Sequence, residues 1–179
     1  ESPISESSPP ARRSAAPVFV NAVDSGIIPA MRTTVVHEIA HQWFGNAVSL
    51  KVWPDIWLNE GFATFSEWIY NEDHGGPPAA ERFDELYAIE DGPDFEDLWF
   101  PAPAALQRPS QLFHTPVYDR GAMTLQALRE KVGDDTFFDI LRAWYAENRS
   151  QSVTSDESVT TADFIDLAET ESGQDLDHF

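Results

Sequence analysis

Apolar positions recur at helical spacing through most of the chain, and this pattern predicts a succession of amphipathic helices. In AMRTTVVHEIAHQWFGN (30–46), Val35, Val36, Ile39 and Trp43 can share one broad face, and Gly45-Asn46 is a plausible stop. Trp53-Pro54-Asp55 reads as a turn, with Asp55 capping a second helix, DIWLNEGFATFSEWIYNED, that runs to Asp73 and closes at Gly75-Gly76-Pro77. PAAERFDELYAIE (78–90) predicts a third helix. From Gly92 to Pro116 five prolines interrupt the chain, and an irregular segment is expected there. VYDRGAMTLQALREKV (117–132) and the segment from Asp134 to Arg149 predict two more helices, split by Gly133. Thr160 is placed to cap a last helix that stops at Gly173.

The amino-terminal part reads differently. Residues 1–16 (ESPISESSPPARRSAA) have the Ser- and Pro-rich composition of a flexible tail or linker. Pro17 to Val23 is β-branched and aromatic enough for a short strand. The organisation expected is therefore a tail over 1–16 and one mainly helical domain over 17–179, with at most that one strand. With 179 residues, 42% of them hydrophobic, there is material for one real core and not for two. The chain begins at Glu1 with no intact signal peptide, and it reads as a piece of something longer.

Charge narrows the function. Thirty-one acidic residues against 11 basic ones give a net charge of -20, which argues against nucleic acid and against anionic membrane surfaces. No apolar run is long enough to span a membrane. Cysteine is absent, so disulfides and thiolate metal sites are excluded.

The chemistry lies in His37-Glu38-Ile39-Ala40-His41, an H-E-x-x-H pattern. Residues four apart on a helix differ by about 40° around the axis, so both imidazoles can reach one ion. Glu38 stands beside them, where a carboxylate can take a proton from water. A catalytic zinc usually has three protein ligands and one open position. Residues 42–59 separate His41 from Glu60, which lies near the start of the next helix in WLNEGFA and offers the third ligand. Trp57 and Phe62 supply bulk around it, and Gly61 allows close helix approach. The donor set suits one Zn2+ ion, although cobalt or manganese would also accept it.

HEIAHQWFGNAVS followed by WPDIWLNEGFATFSEW resembles the alanyl aminopeptidase family of gluzincin zinc peptidases. The resemblance covers roughly residues 32–179 and implies the helical part of a thermolysin-like catalytic domain. It implies His37, His41 and Glu60 as zinc ligands, Glu38 as general base, and removal of amino-terminal residues from a peptide substrate. That family carries a Tyr-x-x-Gly-Ala segment whose tyrosine donates a hydrogen bond to the transition state; Tyr118-Asp119-Arg120-Gly121-Ala122 is similar, which implies that role for Tyr118. Glu67, two turns beyond Glu60, is the candidate for orienting a ligand histidine, and a surface glutamate is the bland alternative. Arg120 can pair with a nearby acid or touch substrate. His74, His114 and His178 show no ligand spacing.

The family's Gly-x-Met-Glu-Asn-type amine-binding segment has no counterpart in residues 1–31, and its large flanking domains are missing. Exposed faces are therefore expected, open either to self-association or to the missing domains of a longer parent protein. The alternatives are an open-cleft endopeptidase and a catalytically silent zinc-binding module.

Overall fold

The fold is organised around one helix, α2 (Trp57–Asp73), which buries Trp57, Leu58, Gly61, Phe62, Phe65 and Trp68 along one broad face. The computed structural model describes residues 27–149, 158–176 and 179. It comprises two compact units, Glu1–Arg32 and Thr33–Phe179, and the helical domain is the second of them. The expected tail and the strand over 17–23 lie outside the described residues, as does His178.

The other helices are α1 (Ile27–Ala40, in the second unit from Thr33 onward), α3 (Ala79–Tyr87), α4 (Gly92–Trp99), α5 (Thr115–Val132), α6 (Asp134–Asn148) and α7 (Thr161–Ser172). Among the described residues, β-structure is confined to two isolated parallel bridges, Phe44 with Val48 and Leu50 with Val159. The mainly helical class expected from the sequence is what is found.

The most intimate packing is between α2 and α5. A Cβ on Gly61 would lie 2.7 Å from the Gly121 Cα, and one on Gly121 would lie 2.8 Å from the Gly61 Cα. The two backbones therefore touch, and only glycine permits it at either position. The close helix approach expected at Gly61 is found, and α5 is the helix it admits.

Below this crossing the core is aromatic. Phe62 meets Phe44 at 4.8 Å and Phe164 at 5.2 Å between ring centroids, and Trp144 meets Phe164 at 5.1 Å. Burying each such side chain stabilises the fold by about 1.5–3 kcal/mol before conformational entropy is counted. The α7 boundaries follow the sequence closely: Thr160 and Asp163 form a reciprocal capping box, and Gly173 closes the helix at φ 64°.

Three expectations need correction. α1 ends at Ala40, not Asn46, because the next amides shorten to one-turn bonds, Gln42 to the Ile39 carbonyl and Trp43 to the Ala40 carbonyl, both 3.0 Å. Asp55 does not cap α2; it is buried and accepts a 2.7 Å hydrogen bond from the Thr161 hydroxyl, which itself accepts from the Trp57 indole at 2.9 Å. The proline-rich stretch is not wholly irregular. Gly92-Pro93 opens α4 at the position where a missing N–H costs nothing, and 3-10 turns follow at Pro103–Ala105 and Pro109–Gln111.

Candidate active site

His37 occupies the last turn of α1, and His41 sits one residue beyond its end. The His41 amide still donates to the His37 carbonyl at 3.2 Å, so the four-residue spacing survives the helix terminus. The two rings lie edge to face with centroids 4.8 Å apart. Both reach the first turn of α2, where Glu60 waits.

Each imidazole is oriented through its far nitrogen. The His41 Nδ1–H donates to the Phe44 carbonyl at 3.1 Å, within the turn that follows α1. The His37 Nδ1–H donates to Glu67 Oε1 at 2.8 Å. Both Nε2 atoms are thereby turned toward Glu60 Oε2, at 3.2 Å from His37 and 3.3 Å from His41. Glu67 is thus the orienting carboxylate anticipated from its spacing.

Does this set fit a zinc ion? Bonds of about 2.0–2.2 Å in a tetrahedron place neighbouring ligand atoms roughly 3.3–3.6 Å apart. The two histidine–carboxylate spacings lie close to that edge, and all three ligand atoms lie within 4.8 Å of one another. The residues fit. Without a cation, the hydrogen bonds to Glu60 and then Glu67 outweigh burial and hold a proton on His37, whose pKa is pushed up to about 9.

Tyr118 enters from the first turn of α5, one helical turn before Gly121. The glycine contact therefore draws both Glu60 and Tyr118 to the same spot, since Glu60 immediately precedes Gly61. The Tyr118 ring stacks at 6.0 Å from that of His37. Burial first, then the charges of Glu60 and Glu38, push its phenol up to about 12. At neutral pH it is therefore protonated and able to donate a hydrogen bond. Glu38 is exposed, and its field is felt at Tyr118.

The remaining candidates sort by surroundings. Arg120 points away: it donates to the Trp99 carbonyl at 2.8 Å and lies over the Trp99 ring at 4.7 Å. His74 and His114 are exposed, and His74 bonds the Tyr70 carbonyl at 2.7 Å.

Sequence reasoning missed a cavity of about 410 Å³ beside the centre, lined by His37, Glu67, Trp68, Arg82, Tyr118 and Asp119 among others. Its walls come from four helices, α1, α2, α3 and α5, and no local pattern marks them. Asp119 is raised from the ordinary carboxylate range by burial, opposed by Arg82 and reinforced by Glu67 and Asp97.

Comparison with known proteins places this arrangement. Residues 27–179 match the peptidase family M1 domain, and the chain belongs to that family. It is 37% identical over 108 residues to endoplasmic reticulum aminopeptidase 1 of Homo sapiens, covering 58% of this chain and 12% of that protein. It is 38% identical over 111 residues to probable aminopeptidase 1 of Saccharolobus solfataricus, covering 58% and 14%. The crystal structure of an M1 zinc metallopeptidase from Deinococcus radiodurans superposes with a TM-score of 0.61 at 32% identity, covering 78% of this chain and 29% of that one. The chain thus spans a small part of the proteins it matches.

Proposed function

We propose that this chain carries the chemical centre of a zinc aminopeptidase, residues 17–179 forming part of the catalytic domain of a larger multidomain protein. One observation above all supports the reading: two oriented Nε2 atoms each lie at about the edge length of a tetrahedral zinc site from one carboxylate oxygen, with a phenol stacked beside them. His37, His41 and Glu60 would hold the ion. When bound there, Zn2+ acts as a Lewis acid, polarising a carbonyl and lowering the pKa of water.

The protein's own groups then divide the work. Glu38 takes a proton from the attacking water and delivers it to the departing amine. Tyr118 donates its phenolic proton as a hydrogen bond to the oxygen on which negative charge develops. Glu67 and the Phe44 carbonyl fix the tautomers of the two histidines, so that the lone pair of each faces inward. The aminopeptidase names of the relatives support cleavage at a free amino terminus.

The test is one peptide in two forms, amino terminus free or acetylated, offered to the zinc-loaded chain and to Glu38→Gln. Cleavage of the free form alone is expected, with a loss of at least about 100-fold in Glu38→Gln at unchanged zinc content. Hydrolysis by Glu38→Gln at the parent rate would sink the mechanism. Equal cleavage of both peptides would replace the aminopeptidase with an open-cleft endopeptidase.

A further inference from the structure

The cavity beside His37 and Tyr118 holds one carboxylate that the chemistry above does not use. Its neighbours are committed. Glu67 accepts from His37 at 2.8 Å. Asp97, whose field reaches Asp119, accepts from the Thr115 hydroxyl at 2.6 Å. Arg82 lies across the cavity, but its guanidinium bonds Glu85 at 3.0 Å on the exposed flank of α3. Among the described residues, no hydrogen bond or ion pair reaches the Asp119 carboxylate.

Position makes this more than a stray charge. Asp119 follows Tyr118 in the chain, so the first turn of α5 that delivers the phenol to the reacting atoms also delivers this carboxylate to the adjoining cavity. The cavity adjoins the centre, since His37 and Tyr118 form part of its wall. At about 410 Å³ it has room for a substrate residue. Trp68 supplies an apolar wall and Asn71 a polar one. A partly desolvated, unpartnered anion in such a place is stabilised when a cation arrives.

We propose that Asp119 is a specificity-determining residue, receiving a positively charged group of the bound peptide in this cavity. The inference rests on the peptidase reading for the identity of the ligand. Two groups on a peptide share the required chemistry, the free α-amino group and the ammonium or guanidinium of a basic side chain next to the cleaved bond. Either would meet an acceptor that has no hydrogen-bond partner among the described residues, in a cavity that Tyr118 also lines.

The experiment is equilibrium binding, followed by calorimetry in the zinc-loaded Glu38→Gln chain so that bound peptide persists. The probes are Ala-Lys-Ala and Ala-norleucine-Ala, each with its amino terminus free or acetylated. Lysine against norleucine isolates the side-chain ammonium, and free against acetylated isolates the α-amine. At least one of these cations is expected to tighten binding by about fivefold to tenfold, in keeping with one charge-assisted contact. Adding Asp119→Asn, nearly isosteric and checked for an unchanged melting temperature, is expected to abolish that advantage while leaving the neutral peptide's affinity in place. Asp119→Glu should restore part of it.

The proposal is overturned if neither cation improves binding, or if the improvement survives Asp119→Asn. Because binding is read without turnover, failure of the wild-type chain to cleave any peptide would count against the peptidase reading alone. An Asp119-dependent cation preference would stand beside it.

Discussion

The candidate site is shared between two halves of opposite construction. Glu60 and Tyr118 stand on α2 and α5, helices locked by a glycine-on-glycine contact above an aromatic core in which Phe62, Leu125 and Trp144 are fully buried. His37 and His41 stand at the end of α1, whose amphipathicity is inverted. Its polar residue His37 turns inward to Glu60 and Glu67, while Val35 and Ile39 are 54% and 52% exposed and Trp43, just beyond, is 45% exposed. α1 also makes only sparse contacts with the other helices. Packing dominates one half, whereas the other reaches the site through the hydrogen bonds of His37 to Glu60 and Glu67. The geometry of the centre therefore depends on its own polar contacts as much as on the core.

The contrast breaks most severely if the packed half is opened. Gly61→Leu would drive a side chain into the α5 backbone, which cannot yield as a flexible side chain would. Loss of cooperative thermal unfolding is expected, together with loss of zinc binding. A variant that melts like the parent would mean that α2 and α5 separate at little cost and that the crossing is not the anchor. Phe62→Ala is next in size. Its ring touches Phe44, Trp57 and Phe164, and truncation is expected to cost about 3–5 kcal/mol by chemical denaturation.

This asymmetry also explains what could be read from the chain beforehand. His37, His41 and Glu60, which the structure brings together, could be picked out beforehand because H-E-x-x-H and the following N-E-G-F-A are local patterns whose chemistry needs no knowledge of neighbours. Glu67 was legible as a candidate for the same reason: helical spacing from Glu60 puts it on the same face. The capping box at Thr160 and the stop at Gly173 are likewise local. Asp55 was misassigned as a cap because its partner, Thr161, lies 106 residues away, and no short-range rule reports such a bond. α4 was missed because prolines were counted without their positions: Pro93 sits in the first turn and Pro101 beyond the end. The Asp119 cavity draws its walls from four helices and was invisible. The apolar stripe on α1 was legible as a stripe, but a stripe says only that something should cover it, and within the second unit it remains exposed.

The polar half is sharpened by pH. In the metal-free chain, hydrogen bonds to Glu60 and Glu67 push the His37 pKa up to about 9, above an unfolded value near 6.5. A raised folded-state pKa gives stability that is fully present below about pH 6.5 and lost as pH rises through about 9. With a chelator present, the melting temperature should therefore fall between these limits. His37→Gln should flatten that slope, and its melting temperature should differ from the parent's less at pH 9 than at pH 6.5. A parent melting temperature that rises over this range would show that the His37 contacts do not hold α1 down. In the metal-loaded chain the dependence should shrink, since an ion that needs the unprotonated nitrogen removes the proton being titrated.

The smallest effect is the most discriminating for the exposed face. Val35→Gln and Ile39→Gln each place a better helix former on α1 and remove apolar surface that meets solvent. If that surface contributes nothing to the fold of this chain, the pair should change stability by no more than about 0.5 kcal/mol each, the usual range for surface positions. Were the same residues packed, each would be expected to cost about 2–5 kcal/mol, comparable to Phe62→Ala. The second readout is association. A stripe of Val35, Ile39 and Trp43 in water favours contact between copies, so sedimentation should show less self-association in the double variant than in the parent. Unchanged stability with reduced association would establish that α1 is amphipathic toward something other than this chain's own core. A large loss of stability with the association unaltered would mean instead that the stripe is covered in solution, and that the two halves of the site are held by the same kind of force.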